Sequence, residues 1–142
     1  MDLSILVQDT ILYIRVAGLV KTQQGYLFEK STDGSYIYTL GGKVKINETS
    51  EEAIKREIME EIGMEVKDLT LCSVMENIYQ KKEKKVHEIC FIYSITNIFE
   101  DTLPEGFVEV LIDDIGKFDI RPSSIVEILQ TEGNSFKHII QN

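Results

Sequence analysis

Basic charge, cysteine and long apolar runs are all scarce in this chain. Lys and Arg number 15 against 24 Asp and Glu, a formal net charge of −9. That balance argues against non-specific binding to nucleic-acid polymer or to an acidic membrane, since no basic excess offsets their phosphates. It leaves a small nucleotide open, because metal ions screen a small anion locally. The two cysteines, Cys72 and Cys90, stand alone inside apolar runs. Metal or redox spacing is therefore missing, and buried free thiols are the expected state. No apolar run is long enough to span a bilayer. The first residues are broken by Asp2, Asp9 and Arg15 and lack a basic start with a cleavage site, so no signal peptide is expected and the compartment expected is cytoplasmic.

What remains is a soluble globular composition, 43% hydrophobic and 27% charged over 142 residues. No repeat, linker or low-complexity segment divides it, so one domain over 1–142 is expected. Apolar alternation and turn signals place strands at Leu3–Val7, Ile11–Lys21, Tyr26–Glu29, Tyr36–Leu40, Glu65–Gln80, Val86–Thr96 and Phe107–Ile112. Asp113-Asp114 starts a short helical turn. Pro122-Ser123-Ser124 opens a last helix to about Thr131, stopped by Gly133-Asn134, and Phe136–Ile140 reads as a short apolar tail. Lys81–Lys85, KKEKK, reads as a solvated hairpin tip, with a basic finger reaching a phosphate as the alternative. Strands on both sides of one central helix predict an α+β, α/β/α layered domain with a mixed sheet.

The informative stretch is Gly41–Met64, GGKVKINETSEEAIKREIMEEIGM. Thr49 with Glu52 has capping-box spacing, the early acids suit the positive helix end, and Gly63 is a stop, so a helix is predicted over Ser50–Ile62. Ile54, Ile58 and Ile62 form its apolar stripe, with Glu57, Glu60 and Glu61 clustered along one edge. Glu57 and Glu61 repel at i, i+4, and Glu60 and Glu61 sit at the negative helix end. A solvated acidic face is the ordinary explanation of such a helix. Converging carboxylates beside a core edge also suit a hard divalent cation, which takes oxygen ligands and shares its other positions with water and phosphates.

The surrounding spacing decides between them. Gly42, five residues, Glu48, seven residues, Arg56-Glu57-Ile58, one residue, Glu60-Glu61, one residue, Gly63-Met64 resembles the Nudix box, with every fixed position filled. The resemblance implies an α/β/α sandwich whose box forms a loop–helix–loop. It implies a metal-dependent pyrophosphohydrolase that cleaves a nucleoside diphosphate linked to another group X, by water attack on phosphorus. Carried over by position, Glu57, Glu60 and Glu61 would hold Mg²⁺ or Mn²⁺, with the Gly41 carbonyl as a further ligand. Arg56 would orient a box glutamate, Glu48 would brace the loop, and Lys43 would meet a phosphate or lie as a surface residue. The general base is left open among Glu60, Glu61 and a carboxylate outside the box, with Glu105 and Asp101 ranked ahead of Glu88 and Glu76. His87 reads as a strand residue, and Tyr79, Phe91 and Tyr93 as core aromatics that could otherwise stack on a base. A homodimer is left open, relatives often being dimers. The chain departs from the pattern at Leu40, where many relatives carry Pro, and in lacking Trp near Phe107–Val110. Three other readings compete: a nucleotide-sensing module that does not cleave, an isoprenoid diphosphate isomerase, and an RNA-cap hydrolase. The intact box disfavours the first, the setting of Cys72 and Cys90 the second, and the acidic charge the third.

Overall fold

The computed structural model describes residues 1–130 and 136–141. Its strands are β1 (Ser4–Val7), β2 (Thr10–Lys21), β3 (Gly25–Lys30), β4 (Ile37–Tyr38), β5 (Leu40–Lys43), β6 (Leu69–Lys81), β7 (Lys84–Ile95), β8 (Phe107–Leu111), β9 (Ile120–Arg121) and β10 (Lys137–Gln141). The helices are α1 (Ser50–Ile62) and α2 (Ser124–Gln130), with a 3-10 turn at Ile112–Lys117. All described strands join one mixed sheet running β10-β6-β7-β2-β3-β4-β9, with β1 and β5 also on β2 and β8 on β3. β2 runs parallel to β7 over Thr10–Val20 and is the sheet's spine.

Alternation along β2 sorts the core into two layers. Val16 and Val20 join Leu40, Ile54, Ile58 and Tyr93 on the α1 side. Ala17 and Leu19 join Phe28, Met75, Ile92, Ile120 and Ile125 on the α2 side. The α+β sandwich with a mixed sheet is thus the observed architecture. Ile54 and Ile58 are fully buried, and each contributes roughly 1.5–3 kcal/mol by leaving water. Gly18 lets α1 lie close, since a β-carbon there would sit 3.1 Å from the end of Ile54 and 3.3 Å from that of Ile58.

α1 has the predicted bounds, with the Thr49–Glu52 capping box formed and Gly63 left-handed at its end. Other boundaries moved. The strand expected from Glu65 starts at Leu69, because Asn97 Oδ1 takes the backbone N–H groups of Lys67 and Asp68, at 3.0 and 3.2 Å, and removes them from the ladder. Tyr36–Leu40 splits into β4 and β5, and the pairing of Ile37–Tyr38 with β9 adds a strand the pattern did not predict. The Lys81–Lys85 segment is a hairpin tip, turning at the exposed Lys82-Glu83. The expected helix stop at Gly133-Asn134 lies outside the described residues. Among the described residues no helix is long and apolar enough to cross a membrane.

Candidate active site

The box loop is held between β2 and α1 through two close backbone approaches. Gly41 has φ +152°, and a β-carbon there would strike the Val16 carbonyl on β2. A β-carbon at Gly42 would strike the Glu57 carboxyl. Only glycine allows both contacts. Arg56 then ties the loop to the helix. Its Nε donates to Glu48 Oε1 at 2.6 Å and one terminal nitrogen to Glu48 Oε2 at 3.0 Å. The same nitrogen donates to the Lys43 carbonyl at 3.1 Å, and the other to Glu57 at 2.8 Å. This bidentate pair is charge-assisted, and the Arg56 hydrogen bonds hold the Glu48 carboxyl down at about 2. Glu48 therefore braces the loop.

Glu61 is the unusual group. Its Oε1 accepts the Gly41 backbone N–H at 3.3 Å. Its Oε2 is buried with no hydrogen-bond partner among the described residues. Burial, then the nearby Glu29 carboxylate, push its pKa up to about 8, with Glu57 adding and the Gly41 N–H opposing. A buried carboxylate oxygen without a donor is costly unless a proton or cation meets it. The donor set therefore fits a hard divalent ion: an orphaned oxygen of Glu61, the Glu57 carboxylate beside it, and the Gly41 backbone. Among the described residues no three acidic, histidine or cysteine side chains form a ready-made cage. Glu57 and Glu60 lean on Arg56 instead, Glu60 at 3.5 Å and more than half exposed.

Gly41 and Glu61 line a cleft of about 1090 Å³. Glu29, Arg15, Glu88, Asn77 and Tyr79 also line it. Glu29 was not singled out from the sequence. It shares a face of β3 with Leu27, toward α1, and its carboxylate lies beside the Tyr38 hydroxyl, which burial and that charge push up to about 12. A lone acid on a strand carries no spacing signal; only pairing of β3 with β4 brings it here.

The other candidates divide. Glu88 points into the cleft and is 6% exposed. Glu76 faces away and meets His138 at 2.7 Å. Glu105 and Asp101 do not line the cleft; Asp101 edges a smaller hollow with Glu100 and Glu109. Lys43 places its ammonium over the Tyr13 ring, 4.8 Å from the centroid, outside the cleft lining. Tyr93 is core and shares a 2.7 Å hydrogen bond with Ser50. Phe91 packs on the same layer, whereas Tyr79 joins the cleft floor. Cys90 is buried and Cys72 half-buried, both free thiols.

A glycine loop, an arginine-braced acidic helix and a cleft beside it define a Nudix-type domain. The NUDIX domain family matches residues 9–116, and the chain belongs to that family, as a Nudix hydrolase. No curated protein matches it. Among solved structures, the MutT protein of Bacillus halodurans is similar with a TM-score of 0.74 at 19% identity, covering 89% of this chain and 86% of that one. The MutT Nudix hydrolase of Burkholderia pseudomallei gives 0.68 at 19%, covering 84% and 98%. The Ap4A hydrolase of C. elegans gives 0.61 at 16%, covering 84% and 94%. At these identities the likeness is one of fold.

Proposed function

We propose that the chain is a metal-dependent pyrophosphohydrolase acting on a nucleoside diphosphate linked to a group X. The observation that carries this is the buried, unpartnered oxygen of Glu61, beside Gly41 in the lining of the cleft. Glu57, Glu60, Glu61 and the Gly41 carbonyl would hold Mg²⁺ or Mn²⁺. Bound there, such an ion would neutralise diphosphate charge and make water more acidic. The chain's own residues do the rest. Arg56 holds Glu57 against the Gly42 backbone. The Gly41 N–H fixes Glu61. Glu29 adds a carboxylate near Glu61 from β3. The proton taken from the attacking water would pass to a carboxylate of the chain, with Glu60, Glu61 and Glu29 as the candidates in this group.

The test is product analysis with Mg²⁺ or Mn²⁺ on nucleoside triphosphates, ADP-ribose, NADH, sugar nucleotides and dinucleoside polyphosphates. Glu57→Gln and Glu61→Gln serve as controls. Cleavage by wild type alone supports the reading; full activity in folded Glu61→Gln refutes the assigned role. The name of one similar structure, an Ap4A hydrolase, supports including dinucleoside polyphosphates in that panel.

A further inference from the structure

Far from the box helix, β1 is an edge strand. Among the described strands it pairs with β2 alone. Its residues Ile5, Leu6 and Val7 are 56%, 58% and 55% exposed. Edge strands of this kind are normally guarded by Lys, Pro or a bulge. Ser4–Val7 carries no charge and no proline, and its register with β2 is unbroken. Shortness is the one guard it has.

Both faces of β1 are apolar. On the α1 side Ile5 opposes Leu12, Leu12 lies beside His87, and His87 opposes Ile78. Ile5, Leu12 and Ile78 are exposed along this row, and Val7 extends it. Leu6 points to the other face. Together these side chains make a patch of a few hundred Å², the size that marks an interaction site on a monomer. The backbone is open as well. The Ile14 N–H donates to the Leu3 carbonyl at 3.1 Å. Antiparallel alternation therefore turns the polar groups of Ile5 and Val7 toward β2 and directs those of Leu6 outward. An open ladder position between two apolar faces is matched by another strand.

We propose that this strand is the β1 of a second copy, paired antiparallel about Leu6. Each Leu6 then gives its N–H to the other's carbonyl. The contact is self-complementary and consumes both edges, so assembly closes at two. Charge permits it. Two chains of net charge −9 repel, but β1 itself is uncharged. The neighbouring hairpin tip, Lys81–Lys85, holds four Lys against Glu83 and is tied to the β1–β2 turn by the Lys85 N–H on the Asp9 carbonyl, at 3.1 Å. Antiparallel pairing brings this basic tip toward Asp2 at the far end of the other β1. The apolar patch is below the roughly 800 Å² per partner of a standard interface. The dimer is therefore weak, with a Kd on the order of micromolar.

Sedimentation velocity of the whole chain, from about 1 to 300 μM, tests this. Wild type should pass from monomer to dimer across that range. Leu6→Lys puts on the edge the residue by which strands refuse partners, and should raise the Kd at least about thirtyfold. Leu6 is exposed, so the variant should melt as wild type does. Ile112→Lys, at an exposed site outside the patch, should dimerise like wild type. Hydrogen exchange on wild type gives a second readout: the Leu6 amide should gain protection as concentration rises. A wild-type monomer at the top of the range overturns the proposal. So does a dimer that persists in folded Leu6→Lys, or one that leaves the Leu6 amide unprotected, since another surface then joins the copies. A monomer that sediments with anionic phospholipid vesicles also overturns it and assigns the patch to lipid.

Discussion

Gly42 and the Glu57 carboxylate are in such close contact that a β-carbon on Gly42 would overlap it. Loop and helix are thus fitted at one atom's tolerance, and Arg56 donates to the same carboxylate at 2.8 Å. Gly42→Ala should displace Glu57 while leaving the core layers intact. Hydrolysis should fall by about a hundredfold, the scale expected when a reacting geometry shifts by about 1 Å. A melting temperature within a few degrees of wild type, measured alongside the rates, would assign the loss to the site.

Glu61 makes a prediction about pH. Burial and the Glu29 carboxylate push its pKa up to about 8, above the ordinary glutamate value of 4.5. The folded state binds the extra proton between those values, so stability is full below the unfolded pKa and declines as pH rises toward 8. Glu61→Gln removes the decline. At pH 8 and without divalent metal, the variant should be more stable than wild type, by roughly 1–2 kcal/mol after allowance for solvent. Denaturant melts at pH 5 and pH 8 would measure it. Mg²⁺ or Mn²⁺ should restore wild-type stability at pH 8 and release protons on binding near pH 7, which calorimetry in two buffers detects. A variant that gains nothing would remove the strain argument.

Arg56 and Glu48 carry opposite charges in a half-buried setting, 22% and 15% exposed. Arg56→Lys keeps the charge but cannot serve Glu48, Glu57 and the Lys43 carbonyl together. It should cost about 1–3 kcal/mol of stability and reduce activity more than Lys55→Ala, whose partner Glu51 is on the outer face. Since the Glu48 carboxyl is depressed to about 2, its contribution is present above pH 4.5 and is lost as pH falls toward 2. Acid melts of Glu48→Gln should be flatter than wild type across that window.

Glu105 tests the loop. It precedes β8 and does not line the cleft, so Glu105→Gln should lower the rate less than threefold, against a loss of at least about a hundredfold for Glu61→Gln. Comparable losses in steady-state assays would mean that this loop reaches the cleft during turnover.

The acidic helix was legible because its signals are local. Thr49 and Glu52 cap it, and Ile54, Ile58 and Ile62 repeat at helical period, all within contiguous sequence. The cleft was not legible, because it is assembled across distant strands. Glu29 meets Glu61 only through the pairing of β3 with β4 and the packing of α1. Glu88 was a candidate whose side-chain direction decided its role, and direction follows from register: a shift by one residue would put His87 on the floor instead. Asn97 changed the start of β6 by a hydrogen bond across 30 positions, which no local pattern contains.

The alternation of β2 also bears on how such a protein diversifies. Val16 backs the box loop through its carbonyl, while its neighbour Arg15 faces the cleft floor. Adjacent residues of one strand thus back the box loop and line the cleft. Substitution at Arg15 changes the cleft lining without touching the backbone contact that supports Gly41. A library randomising only Arg15, Asn77 and Glu88 would explore new substrates on an inherited chemistry.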